Sequence, residues 1–156
     1  MNRTEPILVS ACLLGEPCRY DGKSKPCEAV QKLAARYLLI PVCPECLGGL
    51  PIPRVPSEIV GDRVMSRDGR DLTDRYRSGA EKTLGIAREK GCRVAVLKEK
   101  SPSCGKGSIH NGKFDGGLVP GNGVTAALLE ANGVRVVGEH ETEKIPQILE
   151  ELSCDC

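Results

Sequence analysis

The apolar positions fall into short runs separated by polar stretches of helical length. Pro6–Leu14 (PILVSACLL) is a continuous apolar run, β-branched at its centre and ended by Gly15, which is the pattern of a buried strand. Leu38–Val42, Arg93–Leu97 and Val134–Gly138 repeat it on a smaller scale and predict three more strands. Between the runs the spacing changes. Val30, Leu33 and Ala34 stand at i, i+3 and i+4 with Pro26 near the start, predicting a helix over Lys25–Tyr37. Asp71–Lys90 is the longest helical stretch, entered at Asp71 or Thr73 and left at Gly91. Gly123–Ala131, closed by Asn132 and Gly133, and Ile145–Leu152 predict two further helices. Glu58–Ser66 reads as a small hairpin, Cys43–Pro56 as turns, and Lys98–Asn122, with its six glycines, as a loop.

Strands that alternate with helices imply right-handed β-α-β units. The expected architecture is α/β: a single domain over residues 1–156, built on an open, doubly wound (Rossmann-like) sheet of about four parallel strands. The order is 2-1-3-4, with helices on both faces. Such sheets bind ligands outside the carboxyl ends of their strands, here at the switch point between strands 1 and 3.

Composition narrows the partners. Lys and Arg total 22, Asp and Glu 21, and only Tyr20, Tyr37, Tyr76 and Phe114 are aromatic. Nonspecific nucleic-acid binding needs a basic excess or stacking platforms, and neither is present. Apolar runs such as Tyr37–Val42 fall far short of the ~20 residues of a membrane span. Met1–Pro6 leads directly into a strand rather than an export signal, so a cytoplasmic protein is expected; the sequence leaves the oligomer open.

The informative count is nine cysteines. In a reducing compartment they do not read as a disulfide scaffold. Cys92, just before an apolar strand, reads as a buried structural thiol. Cys12 lies at the end of strand 1, Cys43 at the end of strand 2, and Cys104 after strand 3. Three loops thus carry three thiols to one end of one sheet. Three thiolates can hold zinc or an iron–sulfur cluster. Structural zinc takes its ligands from paired knuckles; Cys43-Pro44-Glu45-Cys46 is one such pair, and no second exists. Cys12 and Cys18 are separated by five residues, Cys154-Asp155-Cys156 is terminal, and His110 and His140 make no metal pair. Dispersed cysteines better suit a [4Fe-4S] cluster with one iron not ligated by protein and free for substrate. Cys46 reads as a bystander, with a fourth-ligand role as the alternative. A redox CxxC pair would open a helix, and Leu47–Pro51 does not read as one. Cys104–Ser108 is no phosphate loop, because Lys100 stands where the first glycine is required. The glycines before Val124 read as a flexible helix entry rather than an anion site.

Four segments carry a resemblance: Ser10–Lys25 (SACLLGEPCRYDGKSK), Pro41–Ile59 (PVCPECLGGLPIPRVPSEI), Asp68–Thr73 (DGRDLT) and Leu97–Gly105 (LKEKSPSCG). In that order they resemble a small bacterial and archaeal family associated with 2-thiouracil desulfidases. The resemblance implies a [4Fe-4S] cluster on three cysteines, carried onto Cys12, Cys43 and Cys104. It implies an acidic residue and a serine at the site, carried onto Glu45 and Ser101, with Ser103 as the alternative serine. The chain departs from the pattern at Cys46, where an apolar residue is expected, and in its CxC tail. The expected activity is non-redox removal of sulfur from a small thiolated substrate such as a 2-thiouracil-like pyrimidine, with Glu45 handling a proton. Ser101 either relays a proton or orients its loop. A non-catalytic metal-binding or redox-sensing module using Cys43, Cys46 and the tail thiols is the competing expectation.

Overall fold

The structure is a computed structural model that describes residues 5–153. In chain order the elements are β1 (Pro6–Ser10), α1 (Glu28–Gln31), β2 (Leu38–Val42), α2 (Pro44–Leu47), β3 (Ser57–Val60) and β4 (Arg63–Ser66). They continue with α3 (Thr73–Lys90), β5 (Val94–Leu97), β6 (Ser108–His110), β7 (Leu118–Pro120), α4 (Val124–Ala131), β8 (Arg135–Gly138) and α5 (Ile145–Ser153).

Four strands form the expected parallel sheet in the order β2-β1-β5-β8. Its register aligns Ser10 with Val42, Val9 with Val96, and Val96 with Val137, so the carboxyl ends of the strands emerge together. Side chains alternate along each strand and divide the core in two. Leu8, Ala95, Leu97 and Val136 pack toward α3 and α4 through Leu84, Ala87, Ala126 and Leu129. Ile7, Val9, Val94, Val96 and Val137 pack the other way, onto Val30, Ile145 and Ile148 of α1 and α5. Both faces are covered, which is the doubly wound arrangement. No helix among the described residues is long and apolar enough to cross a membrane.

Three elements differ from the sequence expectation. The first strand stops at Ser10, and Ala11–Leu14 is a 3-10 turn ended by Gly15 at φ 102°. Leu13 stays fully buried in that turn, so the apolar run continues past the strand that began it. The helix expected over Lys25–Tyr37 shrinks to α1 and a following 3-10 turn. Its would-be first turn is diverted: the N–H groups of Lys25 and Cys27 donate to Cys12 O and Leu13 O, binding the segment to the end of β1. The loop expected over Lys98–Asn122 contains an antiparallel hairpin, β6–β7, in which only Ile109 is buried, leaving no alternating pattern to read.

Candidate active site

The carboxyl ends of β1, β2 and β5 open into a cleft of about 490 Å³. Cys12, Cys43 and Cys104 all line it, together with Glu45 and Ser101. Ser103 does not. It is almost fully buried, its hydroxyl is bonded to Thr125 Oγ1 at 2.7 Å, and it also bears on the Cys104 thiol. Cys92 packs in the core as expected, and Cys154 and Cys156 lie outside the described residues.

Each thiol is placed by backbone already committed to the fold. Cys12 sits in the turn that ends β1. Cys43 follows β2 directly and precedes α2, a single helical turn with Pro44 in its first position. A CxxC pair does therefore straddle a helix start here, contrary to the sequence reading, but the helix stops at Gly48. Cys104 is held by the N-terminus of α4. Val124 N donates to Pro102 O, and Thr125 N and Ala126 N donate to Ser103 O, at 2.8–3.1 Å. Those are the amides a helix leaves free. The glycine-rich entry to α4 is thus neither loose nor an anion site, because its donors grip the Cys104 loop. Ser10 completes the anchorage: its hydroxyl accepts Lys98 N at 2.9 Å and lies near the Cys104 thiol.

The thiols also meet one another. Cys18 lines the cleft between Cys12 and Cys43, and its carbonyl oxygen accepts from Cys43 Sγ at 3.8 Å and Cys46 Sγ at 4.0 Å. Cys46 itself does not line the cleft. Hydrogen bonding with Cys12 pushes the Cys18 thiol up to about 11, against the pull of Cys43. Cys18 and burial hold Cys43 well above the usual thiol range, and burial pushes Cys104 up to about 12. Without a metal these thiols therefore keep their protons. Among the described residues, no three His, Cys, Asp or Glu side chains close around a point as one bare ion would require. An iron–sulfur cubane spreads its thiolates over a larger body, so soft donors on three walls of a cleft fit it better than they fit zinc.

Glu45 is bidentate in function. Its Oε1 pairs with Arg54 Nε at 2.9 Å, and Oε2 stands 3.5 Å from Ser101 Oγ. The pair is shielded, with side chains only 7% and 15% exposed, so water screens it little. Arg54 reaches further, donating Nη2 to Cys18 O and Nη1 to Pro51 O. Ser101 Oγ accepts the N–H groups of Ser103 and Cys104, both at 3.0 Å, which leaves its own proton to point at Glu45. Tyr76 stands behind them; burial and then the Glu45 charge push its phenol well above the usual range.

The sequence profile described as 2-thiouracil desulfurase matches residues 7–141. The chain belongs to that family. Among similar proteins, the protein YbbK of Bacillus subtilis, described as uncharacterized, is 44% identical over 149 residues, covering 89% of this chain and 99% of that one. A solved structure of a [4Fe-4S]-dependent thiouracil desulfidase, TudS, is 45% identical with a TM-score of 0.85, covering 96% of this chain and 98% of that one. In this member of the 2-thiouracil desulfurase family, sequence reasoning passed over Ser10, Arg54 and Tyr76. The one available signal was Arg54 among prolines, a charged residue in a segment otherwise built for turns.

Proposed function

We propose that the protein is an iron–sulfur-dependent desulfidase that hydrolyses the thiocarbonyl of a thiolated pyrimidine such as 2-thiouracil. The observation that carries this reading is the convergence of Cys12, Cys43 and Cys104 with the Glu45–Ser101 pair in one cleft. Membership of the family and likeness to a thiouracil desulfidase support it. Cys12, Cys43 and Cys104 would hold a [4Fe-4S] cluster and would leave one iron without a protein ligand. When bound, that cluster supplies a soft Lewis acid that binds thiocarbonyl sulfur and makes the neighbouring carbon electrophilic.

The residues do the rest. Glu45, held by Arg54 through Oε1, accepts a proton from the attacking water at Oε2, which is held only loosely by Ser101. Ser101 donates to that carboxylate and ties it to the Cys104 loop, holding the proton acceptor in place. Water adds to the carbon as the C–S bond breaks, so thiocarbonyl and water give carbonyl, hydrosulfide and a proton. No electron is gained or lost.

The test is anaerobic purification, iron and acid-labile sulfide counting, and assay of uracil and hydrosulfide from 2-thiouracil. Four irons per chain and equimolar products are expected. A colourless protein with stoichiometric zinc would remove the cluster, and a cluster-loaded protein releasing no hydrosulfide would remove the substrate.

A further inference from the structure

Two side-chain polar atoms among the described residues are buried with no hydrogen-bond partner: Ser57 Oγ and His110 Nδ1. Both residues line the cleft that holds the thiols. They arrive on different hairpins, Ser57 as the first residue of β3 and His110 as the last of β6. Ser57 is only 8% exposed. Native proteins rarely leave such groups unpaired, since each orphan costs roughly 1–3 kcal/mol.

Slack in the hairpins does not account for them. Buried Glu58, next to Ser57, accepts the N–H groups of Gly112 and Phe114 at 2.9 and 3.1 Å, clamping the β6–β7 turn against β3. Gly112 backs closely onto the Ile59 carbonyl, which excludes any side chain there. The neighbouring Tyr76 phenol bears on Ser57 without forming a well-shaped hydrogen bond. Glu58 beside them is satisfied, and Ser57 Oγ and His110 Nδ1 are not.

We infer that Ser57 and His110 read the polar edge of the substrate ring, a cyclic imide whose sulfur-bearing side faces the thiols. This rests on the thiocarbonyl reading above and adds the selection of substrate. A hydroxyl both donates and accepts, and a neutral imidazole nitrogen does either according to its tautomer. A pyrimidine imide offers a carbonyl acceptor beside an N–H donor, which this pair can match. A site with unpaired buried polar groups discriminates strongly against analogues that cannot pair with them.

Uracil separates recognition from desulfurisation, because it carries the imide edge and no sulfur. Calorimetric titration of the cluster-loaded protein should show binding of uracil and at least ~10-fold weaker binding of N3-methyluracil, whose imide N–H is blocked. Ser57→Ala and His110→Phe should each weaken uracil roughly 5–100-fold, leave N3-methyluracil nearly unchanged, and raise KM for 2-thiouracil more than they lower kcat. Melting of Ser57→Ala should stay level or rise, since an orphan hydroxyl is removed. Equal wild-type affinity for uracil and N3-methyluracil, or no uracil binding at all, overturns the inference, and so does a Ser57→Ala protein that melts earlier yet binds uracil normally. Wild-type protein that binds uracil through Ser57 but releases no hydrosulfide would sink the proposed reaction and leave the recognition standing.

Discussion

Glu45 has one oxygen paired with Arg54 and the other held only at 3.5 Å by Ser101, and this division is what its replacement tests. In Glu45→Gln the amide oxygen can keep a hydrogen bond from Arg54 and the side chain keeps its shape, although the ion pair loses its negative charge. What disappears is the ability to take a proton. The variant should load a full cluster, still bind thiopyrimidine, and turn over roughly 10²–10⁴-fold more slowly. A cluster-loaded variant releasing hydrosulfide at the wild-type rate would exclude the role, and the readouts are iron content and product formation. The cysteines divide in the same way. Single Ala replacements of Cys12, Cys43 or Cys104 should empty the site of most iron, whereas Cys46→Ala and Cys92→Ala should not, because Cys46 does not line the cleft and Cys92 is packed in the core. Iron analysis of the five variants distinguishes this set from one in which Cys46 is a ligand.

At the scale of elements, close backbone approach carries the positioning. A Cβ on Gly123 would run into the Ser103 carbonyl and the Ser101 oxygen, although Gly123 itself has an ordinary φ of −67°. Gly123→Ala should therefore lift the Cys104 loop off the start of α4, with reduced iron content as its signature. Gly85 provides the contrast: it lies within α3 with nothing in reach of a Cβ, so Gly85→Ala should stabilise by about 0.5–1 kcal/mol and leave iron unchanged. Thermal melts and iron counts on both variants check the pair. These contacts also mark the limit of what sequence conveys. The four sheet strands, their order and α3 were legible because apolar runs and helical spacing are local signals. The strand ends bearing Cys12, Cys43 and Cys104 followed from that topology, while Glu45 and Ser101 came from the resemblance. Arg54, the Ser10 anchor and the orphans on Ser57 and His110 depend on loops meeting across the fold. The α4 grip on the Cys104 loop is likewise invisible in the chain, where only glycines stand.

For the molecule as a whole, the two-sided core and the cleft divide the labour of folding and binding. Neither half of the core needs a metal: each is an apolar layer on one face of the sheet, and a domain of this size buries about 70% of its unfolded surface. Removal of the cluster should therefore leave the far-UV spectrum near native. If Cys12, Cys43 and Cys104 hold it, its removal should still cost stability, because three chain-distant loops lose the body that joins them. A contribution of several kcal/mol corresponds to a fall in Tm of roughly 10 °C or more for a chain this long. The alkaline side then separates the two states. In the cluster-free protein burial raises the Cys104 thiol from 9.0 to about 12, and hydrogen bonding with Cys12 raises Cys18 from 9.0 to about 11. A raised thiol pKa favours the folded state while the group is protonated in both states, so that contribution is whole below pH 9 and is lost as pH climbs through the folded values. If Cys104 ligates the cluster it is already a thiolate in the loaded protein, and its share of this dependence vanishes. Melts at pH 8, 9, 10 and 11 should show Tm falling faster for the cluster-free protein than for the loaded one. Parallel slopes would mean that Cys104 carries its proton in both states and is not a ligand.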